Sequence, residues 1–226
     1  MPGVHHFLHL TGVPLRCTPS VEKYVGAKKA MKDIWYGDNR DLIKWSVLLQ
    51  LARKYRTKKI LQITYYRKSD FNSFEMDGIN YSVPEEVIYH FRRVKNIETL
   101  KSEIPIYVFD SVFDDRAKYL SDSLSFIKRY QSSNSIVFLD PDTGLEPKKH
   151  CMQHVLEIEA EKIYENLIEG DVFVFYQHQT NRNGRPWVEQ KRKQLACALK
   201  VDVNNLKVAH GQRIARDVVF YYCTKP

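Results

Sequence analysis

The sequence has no glycine-rich turn of the kind that cradles phosphates. Its nine glycines are scattered over 226 residues, and neither a P-loop nor a Gly-x-Gly-x-x-Gly fingerprint occurs anywhere. Nucleotide binding through either of those two loops is therefore excluded. No apolar run approaches the ~20 residues of a membrane span. The mildly apolar start, from Val4 to Leu15, is broken by His5, His6 and His9. It has no basic n-region and no small-residue cleavage site, so it does not read as a signal peptide. The four cysteines, Cys17, Cys151, Cys197 and Cys223, are widely spaced and form no Cys-x-x-Cys pair. Scattered thiols suit a reducing, cytoplasmic compartment. Internal repeats and low-complexity tracts are absent.

What is present is a globular composition with a basic balance. The apolar share of 43% and the 14 Tyr, 11 Phe and 3 Trp supply a sizeable core, which a disordered chain would lack. Lys and Arg number 35 against 27 Asp and Glu, a formal charge of +8. That excess favours a polyanionic partner such as RNA or DNA.

The pattern divides the chain into an N-terminal arm (1–34), which has no clear period, and one α/β domain (35–226). An amphipathic helix follows Gly37 and ends in the cationic stretch Arg53 to Arg56. Ile60 to Tyr65 then reads as a buried strand. A loop or hairpin around Asp77-Gly78 comes next, and a helix opened by Pro84 runs to about Lys95. Ile104 to Phe109 predicts a second strand, ending at Asp110. A helix spans about 114–131. Ile136 to Leu139 is a short apolar run of central-strand type, ending at Asp140. A helix over 155–168, a strand over 172–176 ending near His178, and a basic helix over 187–199 follow. The end alternates as an antiparallel pair, 206–209 with 218–223. Strands alternating with helices predict a doubly wound, Rossmann-like, mostly parallel sheet covered on both faces. The terminal antiparallel pair fits its methyltransferase-type variant. Ligands in such sheets bind at the carboxyl ends of strands, which singles out Asp110, Asp140 and His178.

Asp140-Pro141-Asp142-Thr143-Gly144 is the strongest candidate. An apolar strand ending in Asp-Pro sets a carboxylate at the sheet edge, and Pro141 and Gly144 shape a rigid turn. Such carboxylates can hold a metal, accept an amine hydrogen bond or act as a base. The same residues are also good turn formers. His178, on the strand expected beside that of Asp140, can complete a proton-shuttling pair with it. His150 and His154 share a helical face without an acid between them, which points away from a metal. Arg182, Arg185, Trp187, Lys191, Arg192 and Lys193 interleave cations with an aromatic, as nucleic-acid-binding segments do.

Asp140-Pro141 resembles the first half of the Asp/Asn-Pro-Pro-Tyr motif of N6-adenine and related amino-methyltransferases. In those enzymes the first residue binds the amino group to be methylated. Asp142-Thr143 departs from the Pro-Tyr half. The stretch Tyr36 to Trp45 resembles Gly-Asn-x-x-Asp-x-x-Lys-His of the bacterial large-subunit ribosomal RNA adenine-N6 methyltransferase family. The correspondence falls on Gly37, Asp41 and Lys44, with Asn39 displaced by one place behind Asp38. A group of uncharacterised bacterial proteins is similar in patches over 36–178. The resemblance implies an S-adenosylmethionine site lined by Gly37, Asp38, Asn39, Asp41 and Lys44, and the strand-end position of Asp110 adds it to that site. Read without it, Asp38 is an N-cap, Asp41 the acidic residue at the third helical position, and Lys44 a solvated side chain. The turn after the first strand, Thr64 to Ser69, has no glycine, unlike methyltransferases in general.

Three functions follow as alternatives. One is a methyltransferase-like protein that acts on or binds nucleic acid, with Asp140, Asp142 and His178 at its catalytic centre. Another is a Mg2+- or Mn2+-dependent nuclease or phosphoesterase using Asp140, Asp142 and Glu146, assisted by Lys148 or His178. The last is a non-catalytic nucleic-acid-binding domain.

Overall fold

The computed structural model describes residues 38–68, 73–179 and 186–226. The expected N-terminal arm, Gly37, Arg182 and Arg185 lie outside the described residues.

The first helix, α1 (Asn39–Tyr55), starts where Asp38 accepts hydrogen bonds from the Arg40 and Asp41 amides and stops where Arg56 turns left-handed. Strand β1 (Lys59–Ile63) follows. Next comes the hairpin β2 (Ser73–Met76) and β3 (Ile79–Ser82), whose two-residue turn places both Asp77 and Gly78 at positive φ, as a type I′ turn requires. Helix α2 (Glu85–Phe91) is shorter than its sequence suggests. A 3-10 turn over Val94–Thr99 replaces its last part. There Val94 and Ile97 pack on the core, and Glu98 accepts the Val108 amide at 2.8 Å. Then follow β4 (Ile106–Phe109), α3 (Arg116–Arg129), β5 (Ser135–Leu139), the short pair β6 (Gly144–Leu145) and β7 (His154–Val155), and α4 (Glu157–Glu165). The expected helix over 155–168 starts later because His154 and Val155 pair with Gly144 and Leu145. The chain closes with β8 (Val172–His178), α5 (Trp187–Ala198), β9 (Lys207–Gly211) and β10 (Ala215–Thr224).

Six strands form the central sheet in the order β4-β1-β5-β8-β10-β9. The first four are mutually parallel. β10 runs antiparallel to both β8 and β9. The molecule is thus the Rossmann-like α/β sheet with a C-terminal antiparallel pair that the alternation predicts. Period-two alternation assigns the faces. Leu61, Ile63, Val137, Leu139, Phe173 and Phe175 pack with α3, α4 and α5. Ile60, Ile136, Phe138, Val172 and Val174 pack with α1 and the 3-10 turn. The chain leaves β1 towards β4 and returns across β1 to β5, so the strand order reverses at β1/β5. Such a reversal opens a crevice beyond the carboxyl ends of those strands. Among the described residues no helix is long and apolar enough to cross a membrane.

Candidate functional site

Asp140 follows the last residue of β5, at that reversal, and its amide donates to the Ile63 carbonyl of β1 at 2.9 Å. Its side chain alternates onto the α1 face and is only 2% exposed. Lys44 of α1, 6% exposed, meets it there. Lys44 Nζ donates to Asp140 Oδ2 and to Asp41 Oδ1, each at 2.9 Å. Gln62, on the same face of β1, donates its amide to Asp140 Oδ2 at 2.7 Å. The Tyr176 ring of β8 lies 5.4 Å from the Lys44 ammonium. The two blocks singled out in the sequence are therefore joined by one buried ion pair. Asp38 is the N-cap and Asp41 sits in the first turn, while Lys44 faces the core instead of solvent.

Burial alone would lower the Lys44 pKa, but the flanking Asp140 and Asp41 carboxylates outweigh it and hold the ammonium charged to higher pH than an ordinary lysine. Burial pushes the Asp140 carboxyl up, and Lys44 only partly offsets this. One lysine thus serves two carboxylates. Asp140 Oδ1 and Gln62 Oε1 are both buried without a hydrogen-bond partner among the described residues. A buried acceptor without a donor costs about 1–3 kcal/mol.

The turn after Asp140 is fixed from β8. Gln177 donates to the Thr143 carbonyl at 3.0 Å and accepts the Leu145 amide at 2.9 Å. Gly144 has φ +112°, and a Cβ there would lie 2.4 Å from the Gln177 amide group, so glycine is required on both counts. Asp142 Oδ2 lies 3.9 Å from Arg67 Nη1. Glu146 turns the other way, accepting from the Glu157 amide at 2.7 Å and meeting His150 at 3.0 Å. Asp140, Asp142 and Glu146 do not converge, and the described residues include no group of three acids, histidines or cysteines able to hold a metal. His154 Nδ1 accepts the Cys151 amide at 3.2 Å.

His178 and Asp140 sit at the ends of neighbouring strands, but His178 pairs elsewhere. Its Nε2 is 3.1 Å from Asp217 Oδ2 and its Nδ1 is 3.0 Å from the Gln179 carbonyl oxygen. Arg40 of α1 binds the same Asp217 oxygen through Nε at 3.2 Å and Nη2 at 2.5 Å, and Asp38 through Nη1 at 3.2 Å. Burial tends to raise the Asp217 pKa, but the Arg40 hydrogen bond and the His178 charge bring it below the usual carboxylate range. This clamp ties α1 to β8 and β10. It borders a groove of about 550 Å3 lined by Asn39, Arg40, Gln179, Ile214, Arg216 and Asp217, among others.

At the β1 turn, where a methyltransferase would approach the methionine part of its cofactor, the space is filled. Tyr65 has φ +47°, and its amide donates to the Tyr119 hydroxyl at 2.9 Å. Its ring packs on Phe113 and Tyr119 at 5.0 and 5.2 Å. The Thr64 amide is bonded to the Phe109 carbonyl. Asp110, just past β4, is exposed, the position from which an acid reaches ribose hydroxyls in nucleotide-binding sheets.

The basic helix α5 points much of its polarity inward. Trp187 belongs to the core. Lys191 Nζ donates to the Leu145 and Glu146 carbonyls at 2.9 and 2.8 Å, and burial lowers its pKa. Arg192 donates to the Leu206 and Val203 carbonyls at 2.6 and 2.8 Å. Sequence reasoning missed Gln62, Gln177, Arg40 and Asp217. A glutamine inside the apolar strand Ile60–Ile63 was a usable signal for the first. Nothing local marks the Arg40–Asp217 pair, 177 residues apart.

No protein-family model matches the chain, and no curated protein matches it. Among solved structures, a DUF574 family protein from Streptomyces avermitilis MA-4680 is similar over 83% of this chain and 82% of its own. The identity is 9% and the TM-score 0.41.

Proposed function

We propose that this chain is a methyltransferase-like domain that binds nucleic acid and receives the amino group of a base at Asp140. The supporting observation is the Asp140 carboxylate. It stands beside the strand-order reversal, Lys44 and Gln62 fix one of its oxygens, and its other oxygen is an unpartnered buried acceptor. A base amino group would relieve that cost, while a base with no N–H on its pairing edge would not. Entry of the base requires the turn over Asp140–Gly144 to open. The residues at the β1 turn do not fit the methionine part of S-adenosylmethionine, because the Thr64 and Tyr65 amides are engaged and aromatic rings occupy the space. The activity proposed is therefore recognition.

The test is binding of single-stranded oligonucleotides that differ only in whether their bases carry an amino group, adenine against unsubstituted purine, which has neither the amino group nor a ring N1–H. Adenine should bind about tenfold tighter, and Asp140→Asn should erase the difference. Equal binding of the two by the unaltered protein would sink the reading. Methyl transfer is the reading that the misfit at the β1 turn argues against, although the exposed Asp110 just past β4 stands where an acid meets a ribose in such sheets. Calorimetric titration with S-adenosylmethionine checks it: binding that is lost in Asp110→Ala supports transfer, and no binding removes it.

A further inference from the structure

Nucleic acid carries phosphates, and α5 offers few free cations to them, because Lys191 and Arg192 are engaged by backbone carbonyls. Cations free to meet a ligand stand instead at the β9–β10 turn and the start of β10. Arg213 and Arg216 are both exposed, and neither has a hydrogen bond or ion pair among the described residues. Arg216 lines the 550 Å3 groove together with Ile214, which is 40% exposed. The two acids of that groove, Asp38 and Asp217, are engaged by Arg40 and His178, so the outward charge of this rim is positive. The groove volume falls within the range of about 300–1,000 Å3 common for small-ligand sites, and Ile214 gives a base an apolar surface. Its wall is the first turn of α1, and one turn further along that helix Lys44 holds Asp140.

We infer that the β9–β10 turn is the phosphate-binding rim of a single-stranded nucleic-acid site, with Arg213 and Arg216 on successive phosphates and the adjoining groove receiving a nucleotide. This inference rests on the nucleic-acid reading above, but it fails differently. Asp140 governs preference among bases, whereas phosphate contacts weaken every sequence alike and carry the salt dependence.

The experiment is fluorescence anisotropy with a labelled 20-nucleotide single strand, as RNA and as DNA, between 50 and 200 mM salt. Arg213→Gln/Arg216→Gln should bind at least about tenfold more weakly on every sequence. Its slope of log affinity against log salt should be shallower by about 1.4, at about 0.7 for each of the two phosphates no longer neutralised. The charge-matched control is Arg53→Gln/Lys58→Gln, exposed at the opposite edge of the sheet, and it should stay within about twofold of the unaltered protein. Arg213→Lys/Arg216→Lys should retain most binding. An unchanged Arg213→Gln/Arg216→Gln variant, or an equal loss in the control, would overturn the assignment. So would polyglutamate competing as well as nucleic acid, which would mark the rim as a site for an acidic protein. If the arginine pair matters while the amino-group preference is absent, the rim stands and the Asp140 reading falls.

Discussion

Lys44 and Asp140 show how much of this site is decided by single side chains. Each is buried, and each is tolerable only because the other is there. Removing one partner of a buried pair typically costs about 3–5 kcal/mol. Lys44→Met should therefore lower the melting temperature by roughly 6–20 °C, at about 2–4 °C per kcal/mol for a domain of this size. Adding Asp140→Asn should restore part of the loss, because the stranded carboxylate is then gone; melting of the four proteins of a double-mutant cycle measures it. The sign with pH follows from the raised Asp140 pKa. A carboxyl whose folded pKa lies above its unfolded value contributes stability at low pH and loses it as pH rises through the folded value. The Lys44→Met deficit should thus be largest at neutral pH and shrink towards pH 4. A deficit constant across that range would place the cost in lost packing instead.

At the scale of elements, α1 is the piece that assembles the edge. Its N-cap Asp38 holds two amides and Arg40, its second turn carries Lys44, and its apolar side packs on the sheet. Asp38→Ala should cost about 0.5–2 kcal/mol in urea unfolding and loosen the Arg40–Asp217 clamp as well. Gly144→Ala should cost more than an ordinary surface change, because both its φ and the Gln177 amide exclude a Cβ. The start of α1 was legible in the Asp38–Asp41 spacing, and the strands were legible as apolar runs. Lys44 was readable too, since it stands four residues before Leu48 on the buried stripe, although its charge suggested solvent. The His178 contact was not readable. β8 runs three residues beyond Phe175, which lies level with Leu139, and strand length is not encoded in the apolar pattern. His178 thus passes Asp140 and pairs in register with Val218, next to Asp217. Helix α5 was found by its period, but the direction of its cations depended on carbonyls from distant turns.

Across the whole molecule, the Arg40–Asp217–His178 clamp closes the carboxyl edge by tying the first helix to the last strand. Both ring nitrogens of His178 lie within hydrogen-bond distance of oxygen atoms, of Asp217 at 3.1 Å and of the Gln179 carbonyl at 3.0 Å. Asp217 has its pKa depressed below 3.8 by Arg40 and His178 against the opposing effect of burial. A depressed carboxyl contributes stability above its unfolded value and loses it as pH falls through its folded value. Asp217→Asn should therefore melt below the unaltered protein from pH 5 to 7, and the gap should narrow below the ordinary value of 3.8. The Lys44→Met and Asp217→Asn deficits both narrow towards acid, but the first narrows through the raised Asp140 value and the second only below 3.8, so the pH at which each narrows separates the buried pair from the edge clamp within one set of melting curves. Because Arg40 also walls the groove, the clamp is coupled to ligand binding. Asp217→Asn leaves Arg40 paired with Asp38 alone and removes a negative charge from the rim, and single-stranded nucleic acid should bind it at least as tightly as it binds the unaltered protein, with a steeper salt dependence. Weaker binding by Asp217→Asn at pH 7 would mean that the groove needs the clamp's geometry more than it gains from the change in charge.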